Sequence, residues 1–529
     1  MTSSASHAPL SPLALLRHAG HVWRDRPALR WDDWTACYAE LVDRCARGAS
    51  ALRACGVRPG DRVAAFLPNV PEMLELHFAV PAAGAILVPI NVRITAAEVA
   101  YILEHSAARV LVVHPGLAAT AAAAVAGLAD PPLLIETRAG PHDGSDYETR
   151  LAAAEPGPIE PPADETALLS INYTSGTTGR PKGVMYTHRG AYLHTLGVIA
   201  EAQIDARAKY LWTLPMFHCN GWAFTWAVTA MGGEHRCLPR FDPREVWAMM
   251  AAGEVTHLCG APTVLLMLAG DAARTTLPHE VKVFVGGAPP SPALLGTVEE
   301  LGMRVTHLYG LTETYGPIAV CARQPAWDDL PAAERMELRS HQGVGTVVSE
   351  VIRIVDPSGA DVPADGETVG EIVMRGNNVA VGYYRDEETT GAAFRDGWFH
   401  SGDLGVMHPD GYVEIRDRLK DMIISGGENI SSIEVEHALA GHPDLVEVAV
   451  IGVPDELWGE VPRAYAVARE GAAPTLEELR EHAGGRLARH KLPKSIELVD
   501  ALPKTATGKV QKHVLRERAR ETAAHGVAG

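Results

Sequence analysis

Between Leu10 and about Asp164 the chain alternates helical periodicity with short, wholly apolar runs, and this alternation narrows its folding options more than any other feature. "ALLRHAGHVW" and "YAELVDRCARGASALRACG" predict helices, whereas "RVAAFL", "AILVPI" and "RVLVVH" predict buried strands. The expectation is α/β layering. At 529 residues the chain exceeds one ordinary core, so at least two domains are expected, the larger built from several sheets. The Ala-rich "GLAATAAAAVAGLAD" reads as a surface helix. The Pro-rich connector "EPGPIEPPADET", Glu155–Thr166, then delivers the chain into an apolar strand, "ALLSINYT".

Beyond "RDRLKDMIISGGENIS" the texture changes. "LVEVAVIGV", "RAYAVA" and "KSIELVD" predict strands, "TLEELREHAGGRLARH" an amphipathic helix, and the polar loop "LPKTATGK" leads into a last basic helix. This is a compact α+β unit of its own, which places a boundary near Arg418–Lys420 and divides the chain into residues 1–418 and 419–529.

A formal net charge of -18 argues against general affinity for nucleic acid or anionic membrane, so any phosphate-bearing ligand must meet a local cluster of cations and backbone N–H groups. Seven cysteines form no C-x-x-C pair, which suggests neither zinc nor disulfides and fits a reducing, cytoplasmic setting. No apolar run reaches membrane-spanning length, so integral membrane association is not expected.

That apolar strand runs straight into "YTSGTTGRPKG", Tyr173–Gly183, where glycines permit close approach to an anion and hydroxyls add donors. A Walker A loop would open a helix after its Lys-Ser/Thr pair; here Pro181 precedes Lys182 and Gly183 follows it, so this is a different phosphate loop. In chain order follow "LPMFHCNGW" (214–222), "VGGAPPS" (285–291), "YGLTET" (309–314), "WFHSGDLG" (398–405), "DRLKDMIISGGENIS" (417–431) and "LPKTATGK" (502–509).

These seven blocks, in this order and spacing, resemble the adenylate-forming superfamily, the AMP-dependent synthetases and ligases, and within it the medium- and long-chain fatty acyl-CoA synthetases. The resemblance covers the chain from about Leu10 to its last helix. It implies a large multi-sheet α/β domain followed by a small mobile α+β lid, and an enzyme that turns ATP and a carboxylic acid into acyl-AMP and pyrophosphate before esterifying CoA. Two alternatives stay open: loading a carrier-protein phosphopantetheine, and acting on aryl acids. A homodimer is the family-level expectation.

The resemblance also implies roles. Thr174, Ser175, Gly176, Thr177, Thr178, Gly179 and Lys182 would hold the β- and γ-phosphates, and Glu313 with Thr174 would bind Mg²⁺. Thr312 would lie near the α-phosphate, and Gly287, Ala288, Pro289, His307, Tyr309 and Gly310 around the adenine. Asp403 and Arg418 would meet the ribose or α-phosphate. Lys509 would bridge the attacking carboxylate and the α-phosphate, although a Lys on a polar loop is otherwise simply solvated. Lys420 would be the hinge, and Gly426, Gly427 and Trp458 would border the pantetheine arm, Trp458 being equally readable as a core residue. His218, Asn220, Gly221 and Trp222 would line an apolar acyl pocket, with His218 near the carboxylate. One departure is Lys512, where relatives often carry Arg.

Overall fold

The computed structural model describes residues 8–174, 180–426, 428–455, 457–505 and 509–526, the side chains of 523–526 excepted. Two compact units emerge, one of residues 1–351 and 374–399, the other of 352–373 and 400–529.

The first unit holds two sheets. One orders its strands Leu133–Glu136, Ala108–Val113, Arg62–Phe66, Ile86–Pro89, Leu168–Thr174 and Lys182–Thr187, all parallel except the last pair. The other runs Val344–Gly345, Gly316–Val320, Met303–Leu311, Val281–Val285, His257–Gly260, Lys209–Leu211, Glu234–Arg236, Pro27–Trp31 and Trp34–Cys37. The apolar runs become the buried parallel strands that the sequence predicts, because both their faces are covered. The largest core cluster joins one face of each sheet, for example Val63 and Leu87 of the first and Leu29 and Tyr210 of the second. Separate clusters around Phe66 and Leu111, and around Val283 and Trp247, cover the remaining faces.

Local chemistry sets the helix boundaries. Ser11 caps Pro12–Val22 by accepting from the Leu13 N–H at 3.2 Å, with Pro12 supplying a preset φ at the first position. Thr95 and Glu98 form a reciprocal capping box that starts Ala96–Ser106. Pro71–Ala82 is buried along its whole length, so its two acids need internal partners. Arg138 reaches Glu72 at 2.6 Å and Arg44 reaches Glu75 at 2.7 Å.

A five-stranded sheet of Arg353–Val355, Gly370–Met374, Trp398–Met407, Phe394–Arg395 and Val413–Arg418 lies largely in the second unit. A second sheet is ordered Glu428–Ile430, Ile423–Ser425, Gly459–Ala468, Leu445–Asp455, with Ser495–Leu498 parallel on Gly459–Ala468. Ser432–Ala440 and Leu476–Gly484 share a core on one face, and Lys512–Gly526 packs Leu515 and Ala519 on the other. The amphipathic stretch from 475 ends at Gly484 rather than running to 490, since Gly484 and Gly485 weaken helix propagation. Residues 418 and 419 lie inside this unit, at the turn between Val413–Arg418 and Ile423–Ser425. No helix among the described residues is long and apolar enough to cross a membrane.

Candidate active site

Strands Leu168–Thr174 and Lys182–Thr187 pair with Thr174 opposite Lys182, so a hydroxyl and an ammonium stand together at the mouth of the hydroxyl-rich loop. Ser175, Gly176, Thr177, Thr178 and Gly179 lie outside the described residues. The Lys182 Nζ sits 5.3 Å from the centroid of the Tyr383 ring, a cation–π distance. The Tyr383 hydroxyl donates to Glu313 Oε1 at 2.8 Å, and the Ala380 N–H donates to the Glu313 carbonyl at 2.8 Å. Burial, reinforced by Glu313, drives the Tyr383 phenol well above its ordinary value, so it remains a protonated donor. A bridge between Val184 and Tyr383 fixes this arrangement. Tyr383 thus joins Lys182 to Glu313 across 131 positions of sequence.

The YGLTET block leaves the end of strand Met303–Leu311 and turns at Thr312–Thr314. Gly310 has no alternative, because a Cβ there would fall 1.9 Å from the Gly316 carbonyl oxygen. Tyr186 donates its hydroxyl to the Thr312 carbonyl and stacks on Tyr315 with centroids 3.7 Å apart. Asn378 donates to the Thr314 carbonyl at 3.1 Å. Thr312 is therefore held through its backbone. Gly287 adopts φ +86 and has open space where a side chain would project, flanked by the half-buried Ala288 and Pro289, which suits a flat base. Tyr309 is buried at the end of the neighbouring strand. His307 is also buried, held near pKa 4 by desolvation, and its neutral ring lies 2.9 and 2.8 Å from the Ser340 and His341 carbonyls. It supports backbone rather than pointing a free nitrogen outward at Nδ1.

The FHCNGW block has an unusual backbone. Cys219, Asn220, Gly221, Trp222 and Ala223 have φ of 41, 46, 60, 52 and 62, five successive residues in the left-handed region. Left-handed helical geometry costs non-glycine residues roughly 1–2 kcal/mol each, so the surroundings must enforce this turn. They do so through polar clamps: Ser170 donates to Asn220 Oδ1 at 2.8 Å, Asn172 to the Phe217 carbonyl at 3.1 Å and Gly221 to the His218 carbonyl at 2.8 Å. At the start of the turn, Cys219 Sγ lies 3.6 Å from Thr312 Oγ1. Burial depresses His218 to about 4, so its imidazole is neutral, and raises the Cys219 thiol to about 12.

In the second unit, antiparallel register places Asp403 opposite Arg418, and Arg418 Nε meets Asp403 Oδ1 at 3.0 Å. Lys509 pairs with Thr505: its N–H donates to Thr505 Oγ1 at 3.1 Å and its carbonyl accepts from the Thr505 N–H at 2.8 Å. The residue keeps some exposed surface, but burial of its ammonium end, aided by Arg418, pushes the amine down to about 7. Asp403 and Asp421 work in the opposite direction. Lys420 is exposed in the turn where the Asp421 and Met422 N–H groups both donate to the Arg418 carbonyl, at 2.8 and 3.0 Å. Gly426 donates to the Trp458 carbonyl at 2.7 Å, and a Cβ on Gly426 would meet the indole at 2.7 Å. Trp458 is 48% exposed, so it is not a core residue. Gly427 lies outside the described residues. Lys512 is tied to Glu436 at 2.7 Å and to Ser432.

The structure thus gathers Thr174, Lys182, Glu313 and Thr312 within the first unit, and Asp403, Arg418, Lys420 and Lys509 within the second. Sequence reasoning missed Tyr383, Tyr186 and Asn378, which carry no motif of their own. Only the tyrosine pair in "VGYYRD", lying between two matched blocks, offered a signal.

Comparison with known proteins agrees with this geometry. The model of AMP-binding enzymes matches residues 16–384, and that of the AMP-binding enzyme C-terminal domain matches residues 434–509. The chain is 42% identical to a 2-methylpropanoate–CoA ligase of Humulus lupulus, over 98% of this chain and 96% of that protein. It is likewise 42% identical to 4-hydroxybutyrate–CoA ligase 2 of Metallosphaera sedula, over 98% and 96%, and 41% identical to the peroxisomal acetate/butyrate–CoA ligase of Arabidopsis thaliana, over 98% and 96%. Among solved structures, ATP-bound MatB from Rhodopseudomonas palustris superposes with a TM-score of 0.86 at 30% identity, covering 97% of this chain and 99% of that one. With its two family segments, its matching fold and full-length similarity to ligases of this kind, the chain belongs to the AMP-binding enzymes, in their acyl-CoA ligase branch.

Proposed function

We propose that the chain activates a carboxylic acid with ATP and transfers the acyl group to CoA, using the residues assembled above. In the first step a carboxylate oxygen attacks the α-phosphorus, the α–β phosphoanhydride bond breaks, and pyrophosphate leaves. Two anions must be pressed together, so fixed positive charge and preorganised donors dominate the catalysis. Lys182 and Thr174, with the loop between them, hold the terminal phosphates. Thr312 meets the α-phosphate and the neutral His218 borders the acid. Gly287, Ala288, Pro289 and Tyr309 frame the adenine, His307 and Gly310 shape the strand beside it, and Asp403 and Arg418 hold the ribose. Lys509 neutralises charge between the carboxylate and the α-phosphate.

The donor set fits a hard cation. Glu313 and Thr174 offer oxygen ligands only, and while Glu313 Oε1 is engaged by Tyr383, its Oε2 has no partner among the described residues. Mg²⁺ held there would offset phosphate charge.

In the second step the CoA thiol gives up its proton to solvent, its sulfur attacks the acyl carbon, the bond from that carbon to the phosphate oxygen breaks, and AMP leaves. We assign residues 419–529 as the part that moves between steps, with Lys420 as pivot and Gly426, Gly427 and Trp458 along the pantetheine. CoA is preferred over a carrier protein because Trp398–Met407 and Val413–Arg418 are joined by a tight turn, with the Gly411 N–H donating to the His408 carbonyl at 2.9 Å, leaving no inserted segment before the pivot.

The observation that best supports this reading is the Lys182–Tyr383–Glu313 array, in which one tyrosine contacts both the cation assigned here to the phosphates and the carboxylate assigned here to the metal. The test is pyrophosphate release over carboxylic acids of varied length and shape, with and without CoA. Release without any acyl-CoA formed would overturn the second step, and no release with any acid would overturn both.

A further inference from the structure

A cavity opens at the far edge of the nine-stranded sheet. Strands Val281–Val285 and Met303–Leu311 are parallel, and the blocks at 285–291 and 309–314 stand at their C-terminal ends. The cavity lies at the opposite, N-terminal ends, where the segments at 277–280 and 302–304 meet the helix Ala332–Ser340, and it measures about 690 Å³. Arg304 at its wall and Leu311 beside Thr312 are about 20–25 Å apart along one strand at ~3.3 Å per residue, so this is not the nucleotide cleft. Four arginines line it, and three of them hold donors in reserve. Arg339 is 9% exposed and spends only Nη2, on Glu299 and on the Val305 carbonyl at 2.7 Å. Its Nε and Nη1 have no partner among the described residues and are not sealed from solvent. Arg335, one turn earlier on the same helix face, donates a single bond, from Nη1 to the Leu330 carbonyl at 3.3 Å. Arg304 stands 3.7 Å from Glu280, beyond hydrogen-bond distance. Only Arg323 is committed, through Nε and Nη2 to Asp328.

We propose that this cavity is a binding site for a phosphomonoester metabolite, held by Arg304, Arg335 and Arg339, and that its occupancy strengthens ATP binding at the other end of the strand. Guanidinium forks match oxyanions, and two like charges a turn apart on one helix face repel each other unless an anion lies between them. A phosphate monoester brings close to two negative charges and three acceptor oxygens, one for each of the three arginines, where a carboxylate brings one charge and two oxygens. The acids of the cavity do not oppose it, since Glu280, Glu299 and Asp328 each face an arginine. Leu277, Pro278 and Met303 give the wall an apolar part for the body of a small metabolite, and the volume falls in the usual range of such pockets, roughly 300–1,000 Å³. Nucleic acid is disfavoured by the net charge of -18. The link to the nucleotide runs through the helix. Arg339 ties it to Val305, and at its end the Ser340 and His341 carbonyls hold the His307 ring, two residues before Tyr309. An anion gripped by Arg304 of the strand and Arg335 of the helix adds a further tie between the same two elements, so the strand carrying Tyr309 is fixed before ATP arrives. This coupling rests on the adenine assignment above; the binding site does not.

The experiment uses the full chain, with ribose 5-phosphate as the probe. Calorimetry should show binding that Arg335→Gln and, separately, Arg304→Gln weaken by about 10–100-fold, the loss expected when one charged hydrogen-bonding partner is removed. An unchanged Tm without ligand shows that each variant is folded. Lys182→Ala should bind the probe as the wild type does, which separates this cavity from the phosphate loop. Binding that Lys182→Ala abolishes and Arg335→Gln spares overturns the site, as does no binding at all. Inorganic phosphate and citrate are the comparators. Phosphate bound as tightly as the probe overturns recognition of an organic body, and citrate bound more tightly overturns the phosphomonoester in favour of a carboxylate. With ribose 5-phosphate saturating, KM for ATP in pyrophosphate release should fall at least about fivefold in the wild type at unchanged kcat, and not at all in Arg335→Gln. An unchanged wild-type KM overturns the coupling. Failure of every acid to release pyrophosphate would instead count against the ligase reading, and calorimetry would still decide the site.

Discussion

Arg418 Nε and Asp403 Oδ1 meet at 3.0 Å across two paired strands, and Asp403 itself is almost fully buried. A buried carboxylate that loses its cation leaves an uncompensated charge, whereas loss of both leaves none. Arg418→Ala should therefore destabilise the second unit and weaken nucleotide binding, and adding Asp403→Asn should restore part of the stability without restoring affinity. Thermal unfolding with and without ATP, taken around the double-mutant cycle, separates the two effects. Additive stability losses would show that the pair is not coupled.

Lys509 gives a pH dependence with a defined sign. Its amine falls from an ordinary 10.5 to about 7 in the folded protein, mainly by burial and then through Arg418, while Asp403 and Asp421 oppose the shift and Lys420 adds to it. Between those two values the unfolded chain holds a proton that the folded chain has lost, so stability rises with pH across this window and is least favoured below about pH 7. Lys509→Met removes the titration. Its advantage in Tm over the wild type should be larger at pH 6.5 than at pH 9.5, and parallel Tm curves would contradict the assignment. The same variant should lose adenylation yet still transfer the acyl group from supplied acyl-adenylate to CoA.

Tyr383→Phe keeps the ring that faces Lys182 and deletes only the hydroxyl on Glu313. A hydrogen bond to a charged group contributes roughly 1.5–3 kcal/mol, so pyrophosphate release should slow by about 10–100-fold if Glu313 must be held in place. The Mg²⁺ concentration needed for half-maximal rate should rise as well. A change in thermal stability with no change in the Mg²⁺ requirement would reduce Tyr383 to a packing role.

Much of this was legible in the sequence, and the exceptions share a cause. The strands around Val63, Leu87 and Val110 were readable because both faces are apolar, and the loop after Thr174 could be told from a Walker A loop because Gly183, not Ser or Thr, follows Lys182. Tyr383 was not, because its role arises from a bridge to Val184 and a bond to Glu313, both remote in sequence. The turn at 219–223 was hidden for a different reason. Of its five residues only Gly221 and Asn220 take a positive φ readily, and the bonds that help hold the turn come from Ser170 and Asn172 on a strand some fifty residues earlier.

Lys420 is exposed, its N–H and side chain sit in a turn, and the neighbouring bonds run from Asp421 and Met422 back to Arg418. If residues 419–529 pivot here, the backbone at 420 must change its dihedrals between the two half-reactions. Proline fixes φ near -65° and restricts Leu419 before it, so Lys420→Pro should trap one state. Retention of pyrophosphate exchange within about threefold, with acyl-CoA formation reduced at least about 100-fold, is the expected outcome for a gated second step. Because both half-reactions are read from one protein preparation, a folding defect would depress them together and is distinguishable from a frozen pivot. Unaltered overall turnover would mean that the movement is hinged elsewhere, or that the second step needs none.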